Sequence, residues 1–266
     1  MPKLNPQASR RVRATLTRDP VMARLIAAAG PFALETRQQR PPFESLTRAI
    51  AYQQLNGTAA QRILERFCAL YAPTPFPQPQ ALLDTPEPSL RGAGFSFAKI
   101  RALRDLAEKS ASGIVPETPE LLRLDDDAIV ERLTQVRGIG RWTVEMLLMF
   151  QLGRPDVLPV DDFGVRNGFR LAYGLRHMPT PRGLLAFGER WRPWRSAAAW
   201  YLWRAVDLAR EQKLPVPLKP PPRVPVQKPR AVAPVKAMKK TLRKVARLRR
   251  KLQRVTKKVA PRRARR

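Results

Sequence analysis

The sequence predicts an all-α body, built as two helical lobes around a cleft, with a basic tail behind it. Three observations carry this expectation. Helix starts and stops punctuate nearly every segment between residues 19 and 209, no stretch shows convincing apolar–polar alternation, and positive charge gathers at the C-terminal end. Of 266 residues, 51 are Lys or Arg and 21 are Asp or Glu, a net charge of +30. Residues 211–266 hold 21 of the basic residues and one acid, Glu211, so the tail carries +20 and the body +10. A hydrophobic content of 44% supports a sizeable core. The excess charge points to a polyanionic partner, nucleic acid first.

Residues 1–18 are basic, without the apolar run of a signal peptide, and read as an extension before a body over 19–210. Asp19 and Pro20 supply a cap and a first-turn residue for a helix to Ala29, where Gly30 is the stop. Further helices are expected over 42–55, 58–71, 96–112, 118–123, and from Asp126 or Asp127 to Val136. After a glycine turn come 141–152, 162–173, 181–190 and 194–209. In that turn, Arg137-Gly138-Ile139-Gly140, two glycines around one aliphatic residue let the chain reverse tightly and leave amides at the start of the next helix. Such a turn suits one phosphate without reading a base, although a plain helix–helix connection fits those four residues alone.

Prolines over 211–235 forbid a continuous helix and favour an extended linker. Within 236–266, Met238, Leu242, Val245, Leu248, Leu252, Val255 and Val259 recur at helical spacing among lysines and arginines. A disordered polybasic tail that turns helical only on DNA, a partner-binding or coiled helix, and a membrane-surface helix all fit that pattern. The tail is expected to add nonspecific binding to DNA or to an acidic partner. One cysteine, Cys68, excludes a disulfide framework, and with His177 the sole histidine there is no ligand set for zinc or an iron–sulfur cluster. No run of about 18 apolar residues occurs, so a soluble, cytoplasmic, nucleoid-associated monomer without membrane contact is expected.

The stretch LTQVRGIGRWTVEMLLMFQLGRPDVLPVDDFGVRNG resembles the helix-hairpin-helix and Gly/Pro-Asp signature of the DNA glycosylase superfamily. Three further motifs, AIAYQQLNGTAA, GFSFAKIRALRDLA and ERWRPWRSAAAWYLWR, resemble its alkylation-repair branch, the 3-methyladenine DNA glycosylase II type. The resemblance covers about residues 19–209 in matching order. It departs at both ends, because the QQL motif begins near residue 50, too early for the N-terminal sheet domain of some relatives, and because the basic tail is outside the family core.

The resemblance implies a base-excision enzyme that flips alkylated purines out of duplex DNA and hydrolyses their N-glycosidic bond. Such a reaction passes through an oxocarbenium-like sugar, which a carboxylate can stabilise while orienting water. The family's aspartate falls on Asp162; read without the resemblance, one or both of Asp161 and Asp162 simply cap the helix from 162, and Asp161 is taken as such a cap. Two neighbouring carboxylates can raise the pKa of one of them. Lyase-competent relatives carry a lysine where this chain has Trp142, and an indole cannot form a Schiff base, so a monofunctional enzyme without AP lyase activity is expected. The resemblance implies base-pocket roles for Trp142 and Trp203, with Met146 standing where some relatives offer a tyrosine. An N3- or N7-alkylated purine is cationic, and an aromatic slot attracts a desolvated cation by about 2 kcal/mol or more. Flipping a base costs about a few kcal/mol, so the two nearly balance.

Gly138, Ile139, Gly140 and Arg141 are the implied DNA contacts. Phe97 aligns with the side chain that relatives wedge into the duplex, or is an ordinary buried phenylalanine. Gln53 and Gln54 face the widened groove or the orphaned base, or are simply solvated on a helix. Trp191, Trp194 and Trp200 read as core packing at helical spacing, and Trp203 fits core packing as well as the pocket. A monovalent cation, Na+ or K+, is implied under the hairpin on the backbone carbonyls of Thr134, Val136 and Ile139, and no organic cofactor is implied. The alternatives from other classes are a non-catalytic architectural or nucleoid DNA-binding protein, and a tail-driven binder with a degenerate body.

Overall fold

The computed structural model describes residues 6–34, 40–219 and 222–226. Thirteen α-helices occupy these residues: α1 (Pro6–Leu16), α2 (Pro20–Ala29), α3 (Pro42–Tyr52), α4 (Gly57–Ala69), α5 (Pro79–Asp84), α6 (Glu87–Ala93), α7 (Phe97–Ala111), α8 (Thr118–Leu121), α9 (Asp126–Leu133), α10 (Arg141–Phe150), α11 (Phe163–Ala172), α12 (Pro181–Gly188) and α13 (Arg195–Arg210). A 3₁₀ turn, Glu189–Trp191, follows α12. Among the described residues the sole β feature is an isolated bridge between Pro179 and Val226, so the all-α expectation holds.

Several of the helices begin where short polar side chains can take orphaned amides. Asp19 Oδ1 accepts from the amides of Val21 (3.0 Å) and Met22 (3.4 Å), Asn56 caps α4, Ser96 caps α7 and Thr180 caps α12. Two packing groups result. Helices α3–α7 with α9 and α10 form one, and α1, α2 and α11–α13 form the other, with one continuous apolar core beneath both. The tightest approach is between α11 and α13, where a Cβ on Gly168 would lie 1.8 Å from the Leu202 carbonyl oxygen. Only glycine permits that crossing, and it fixes the middle of α11 against α13.

Several boundaries differ from expectation. Within the N-terminal 18 residues, α1 (Pro6–Leu16) is more than an extension, since it buries Val12 and Leu16 in the core. Helices α5 and α6 were not expected; at six and seven residues, each bounded by proline, they are too short to show a period. Helix α3 stops at Tyr52, so Gln53 and Gln54 lie beyond it rather than on it. Residues 213–226 are not wholly a free linker: Leu214 and Val224 pack on the core, Thr180 N–H donates to the Pro225 carbonyl at 2.7 Å, and a Cβ on Gly174 would meet Pro217 at 2.7 Å. The helical pattern from Met238 to Val259 lies outside the described residues.

Candidate active site

The hairpin between α9 and α10 is built on one left-handed residue and one buried anchor. Gly138 has φ +79°, which a side chain would resist. Ile139 is 4% exposed; its side chain roots the turn in the core and its N–H donates to the Val136 carbonyl at 3.0 Å. Arg137 N–H donates to Asp105 of α7 at 2.6 Å. Burial pushes the Asp105 carboxyl up, but that bond and Lys109 outweigh it and hold the group below its ordinary range. Helix α10 has no side-chain cap, and among the described residues the amides of Gly138, Gly140, Arg141 and Trp142 meet no acceptor. Four unsatisfied donors at a helix start suit an anion. Within this turn Ile139 offers neither a free amide nor an exposed side chain, and the Arg141 guanidinium pairs with Glu145 (3.2 Å) and Asp127 (3.7 Å).

The loop from α10 to α11 is pinned before it delivers its aspartates. Arg195 grips Asp156 through Nε–Oδ1 (2.7 Å) and Nη2–Oδ2 (3.1 Å), and Arg192 adds a contact at 2.6 Å. Ser196 Oγ donates to the Arg154 carbonyl at 2.7 Å and accepts from Val157 N–H at 3.0 Å. The arginines of ERWRPWR thus hold the chain leading to Asp161 and Asp162. Helix α11 begins at Phe163, and the cap is Asp162, not Asp161 as expected: Oδ1 of Asp162 accepts from Val165 N–H at 2.7 Å.

Two indoles converge on that same carboxylate. Trp203 Nε1–H donates to Oδ1 at 2.8 Å and Trp142 Nε1–H donates to Oδ2 at 2.8 Å. Trp142 is 46% exposed, whereas Trp203 is half-buried and stacks on Phe150 with ring centroids 5.9 Å apart. A cleft of about 500 Å³ opens between α3 and α10, lined by Leu46, Tyr52, Gln53, Gln54, Trp142, Met146 and Phe150 among others. Trp142 and Met146 share this cleft, and Trp203 does not line it. Gln53 Nε2 donates to the Gly138 carbonyl at 2.9 Å, tying the QQL motif to the hairpin, and Gln54 is left-handed at φ 58°. Lys99 Nζ caps the end of α3 through the Ala51 carbonyl at 2.7 Å, and burial pulls its pKa down.

Phe97 is 54% exposed at the start of α7, with the Arg91 guanidinium 4.4 Å from its ring centre, so it is not a core residue. Trp191 is fully buried and Trp194 and Trp200 pack against the core, as expected. The carbonyls of Thr134 and Ile139 accept no protein hydrogen bond among the described residues, and Val136's accepts one, so lone pairs remain for a cation. No side-chain cluster able to hold a metal occurs among the described residues.

Sequence reading missed Glu145, Gly164 and Phe163. Glu145 is 5% exposed on α10, and burial pushes it up to about 7, with Arg141 opposing and Asp161 and Asp162 adding to the rise. The signal was an acid in the apolar run TVEMLLM. A Cβ on Gly164 would stand 2.8 Å from Trp203 Cδ1 and 3.1 Å from Asp162 Oδ1. Nothing local in the sequence reveals that approach. Phe163, 68% exposed beside Asp162, is a further aromatic at this face.

An open-amide turn between two helices, beside a carboxylate and an aromatic cleft, defines a helix-hairpin-helix protein with a place for an anion. A model of the HhH-GPD superfamily of base excision DNA repair proteins matches residues 47–193. The chain is 45% identical over 172 residues to DNA-3-methyladenine glycosylase 1 of Schizosaccharomyces pombe, covering 65% of this chain and 75% of that protein. Among solved structures it matches the S. pombe 3-methyladenine DNA glycosylase in complex with abasic DNA (TM-score 0.68, 41% identity, 75% of this chain and 98% of that one). It also matches a DNA-3-methyladenine glycosidase from Bacillus halodurans (TM-score 0.70, 33% identity, 79% and 93%). The chain belongs to the HhH-GPD superfamily of base excision DNA repair proteins. No helix among the described residues is long and apolar enough to cross a membrane.

Proposed function

We propose that the chain is a monofunctional glycosylase that releases alkylated purines, of the 3-methyladenine and 7-methylguanine type, from duplex DNA. The observation that carries the reading is Asp162: a carboxylate at the head of α11, held by two indole N–H groups, with one of those indoles lining an aromatic cleft. The hairpin amides take a phosphate of the lesion strand, Phe97 fills the gap left by the flipped nucleotide, and the Gln53–Gln54 turn faces the opposite strand. The cationic base enters beside Trp142 and Met146, where the indole face favours it.

As the C1′–N bond breaks, its electron pair passes to the base, which leaves neutral. The developing positive charge on the sugar is opposed by Asp162, which also orients the attacking water and takes its proton. With tryptophan at position 142, this chain offers no lysine there for a Schiff base. The carbonyls of Thr134, Val136 and Ile139 would hold a monovalent cation that stiffens the hairpin and adds positive charge near the phosphate. The test is to incubate the protein and Asp162→Asn with methylated duplex DNA and measure free methylpurines and strand breaks, with borohydride present in a parallel reaction. Release by the wild type, at least about a hundredfold slower in the variant and without strand cleavage or a trapped adduct, is expected. Tight binding with no release from either protein would mean an architectural DNA-binding protein instead.

A further inference from the structure

The two oxygens of Asp162 are held unequally. Oδ1 accepts twice, from Val165 N–H at 2.7 Å and Trp203 Nε1–H at 2.8 Å, while Oδ2 accepts once, from Trp142 Nε1–H at 2.8 Å. The Oδ1 partners are both well anchored. Val165 is fully buried in α11, and the Trp203 ring is half-buried in α13 against Phe150. The Oδ2 partner is the exposed one, and it lines the cleft. Gly164 completes the arrangement, because any Cβ there would press at 2.8 Å on the Trp203 ring and at 3.1 Å on Oδ1.

We propose that Trp203 is a positioning residue that acts on Asp162 and not on the flipped base: its indole N–H, admitted by the missing side chain of Gly164, locks Oδ1 so that Oδ2 is the oxygen left to work at the sugar. The inference rests on the base-excision reading. A hydrogen bond holding a charged group is worth more than an ordinary one, and a carboxylate free to rotate would spend much of its time with neither oxygen aligned. Trp142 has the complementary part. Bonded to Oδ2 and open to the cleft, it links occupancy of the cleft to the oxygen that reacts.

The experiment compares Trp203→Phe, which keeps an aromatic ring beside Phe150 but removes the N–H, and Gly164→Ala, which keeps the N–H but forces the pair apart. Single-turnover release of methylpurine should fall roughly tenfold or more in both. Affinity for duplex carrying an uncleavable alkylated nucleotide, its base in place on a 2′-fluorinated sugar, should stay within about twofold of wild type, because neither change touches a DNA-binding amide. A base-stacking role for Trp203 predicts the reverse, with the saturating rate kept and binding weakened, and that result or an unchanged rate in both variants overturns the proposal.

A second measurement does not need activity. The chain has five tryptophans, and the Trp203 indole resonance is the one missing from the Trp203→Phe spectrum. Its N–H should exchange slowly with solvent in the full chain and lose protection in Asp162→Ala; protection that survives removal of the carboxylate overturns the clamp. If the wild type releases no base, the base-excision reading fails, and the exchange result still decides whether the clamp exists.

Discussion

Glu145 is a residue whose protonation the fold moves into the neutral pH range. Burial pushes its carboxyl up to about 7, so the folded state holds a proton that the unfolded chain, titrating near 4.5, has already released. The resulting stabilisation is complete below about pH 4.5 and is lost as pH rises through about 7. The full swing is on the order of 3 kcal/mol at about 1.4 kcal/mol per unit. Glu145→Gln keeps an acceptor for Arg141 and removes the charge, so its urea stability should gain on wild type progressively between pH 5 and 8. An advantage that does not change over that range would show that Glu145 is ionised throughout. Asp162 was legible in the sequence because the Val-Asp-Asp-Phe-Gly stretch follows the hairpin at family spacing. Its partners were not: Trp203 is 41 residues away, and its N–H contact depends on a helix crossing that only the folded chain creates.

The hairpin separates what glycine does for the chain from what it does for a ligand. Gly138 needs its φ of +79°, while a Cβ there would make only an ordinary 3.5 Å contact with Ala102, so Gly138→Ala should cost about 1 kcal/mol of stability through backbone strain. Gly140 has no such need: its backbone is extended and a Cβ would meet nothing within 4 Å. Gly140→Ala should therefore leave thermal stability unchanged and weaken DNA binding at low salt by intruding where a phosphate approaches the amides. Equal affinity in filter binding would remove the phosphate from this turn. At this scale the sequence was a good guide where a cap and a period coincide, as at Asp19–Pro20 and along α7, and where a period alone runs for ten residues or more, as along α10 and α13. It was a poor one for α5 and α6, whose six and seven residues make fewer than two helical turns, and for α3, where Gln53 leaves the helix and bonds the Gly138 carbonyl while Gln54 turns left-handed.

Across the whole molecule, charge and stability divide at different places along the chain. Residues 227–266 contain 18 lysines and arginines and no acid, so a chain ending at 226 keeps +12 of the full +30. Stability reaches further along the chain than the proline content suggests, because Leu214, Val224 and the Thr180–Pro225 hydrogen bond attach residues 213–226 to the body. Two truncations resolve these contributions. Ending at 226 should preserve single-turnover base release and thermal stability while flattening the salt dependence of DNA affinity, by roughly 0.9 in log–log slope for each phosphate that the tail no longer neutralises. Ending at 210 should flatten it in the same way and also lower stability by about 2–4 kcal/mol, the worth of two partly buried side chains and one hydrogen bond. Denaturant melts of the two truncated chains against full length, with affinity measured from 50 to 200 mM salt, give both numbers. An equal loss of stability on both truncations would place residues beyond 226 in the folded body, and an unchanged salt slope would mean that the basic tail binds something other than the DNA being repaired.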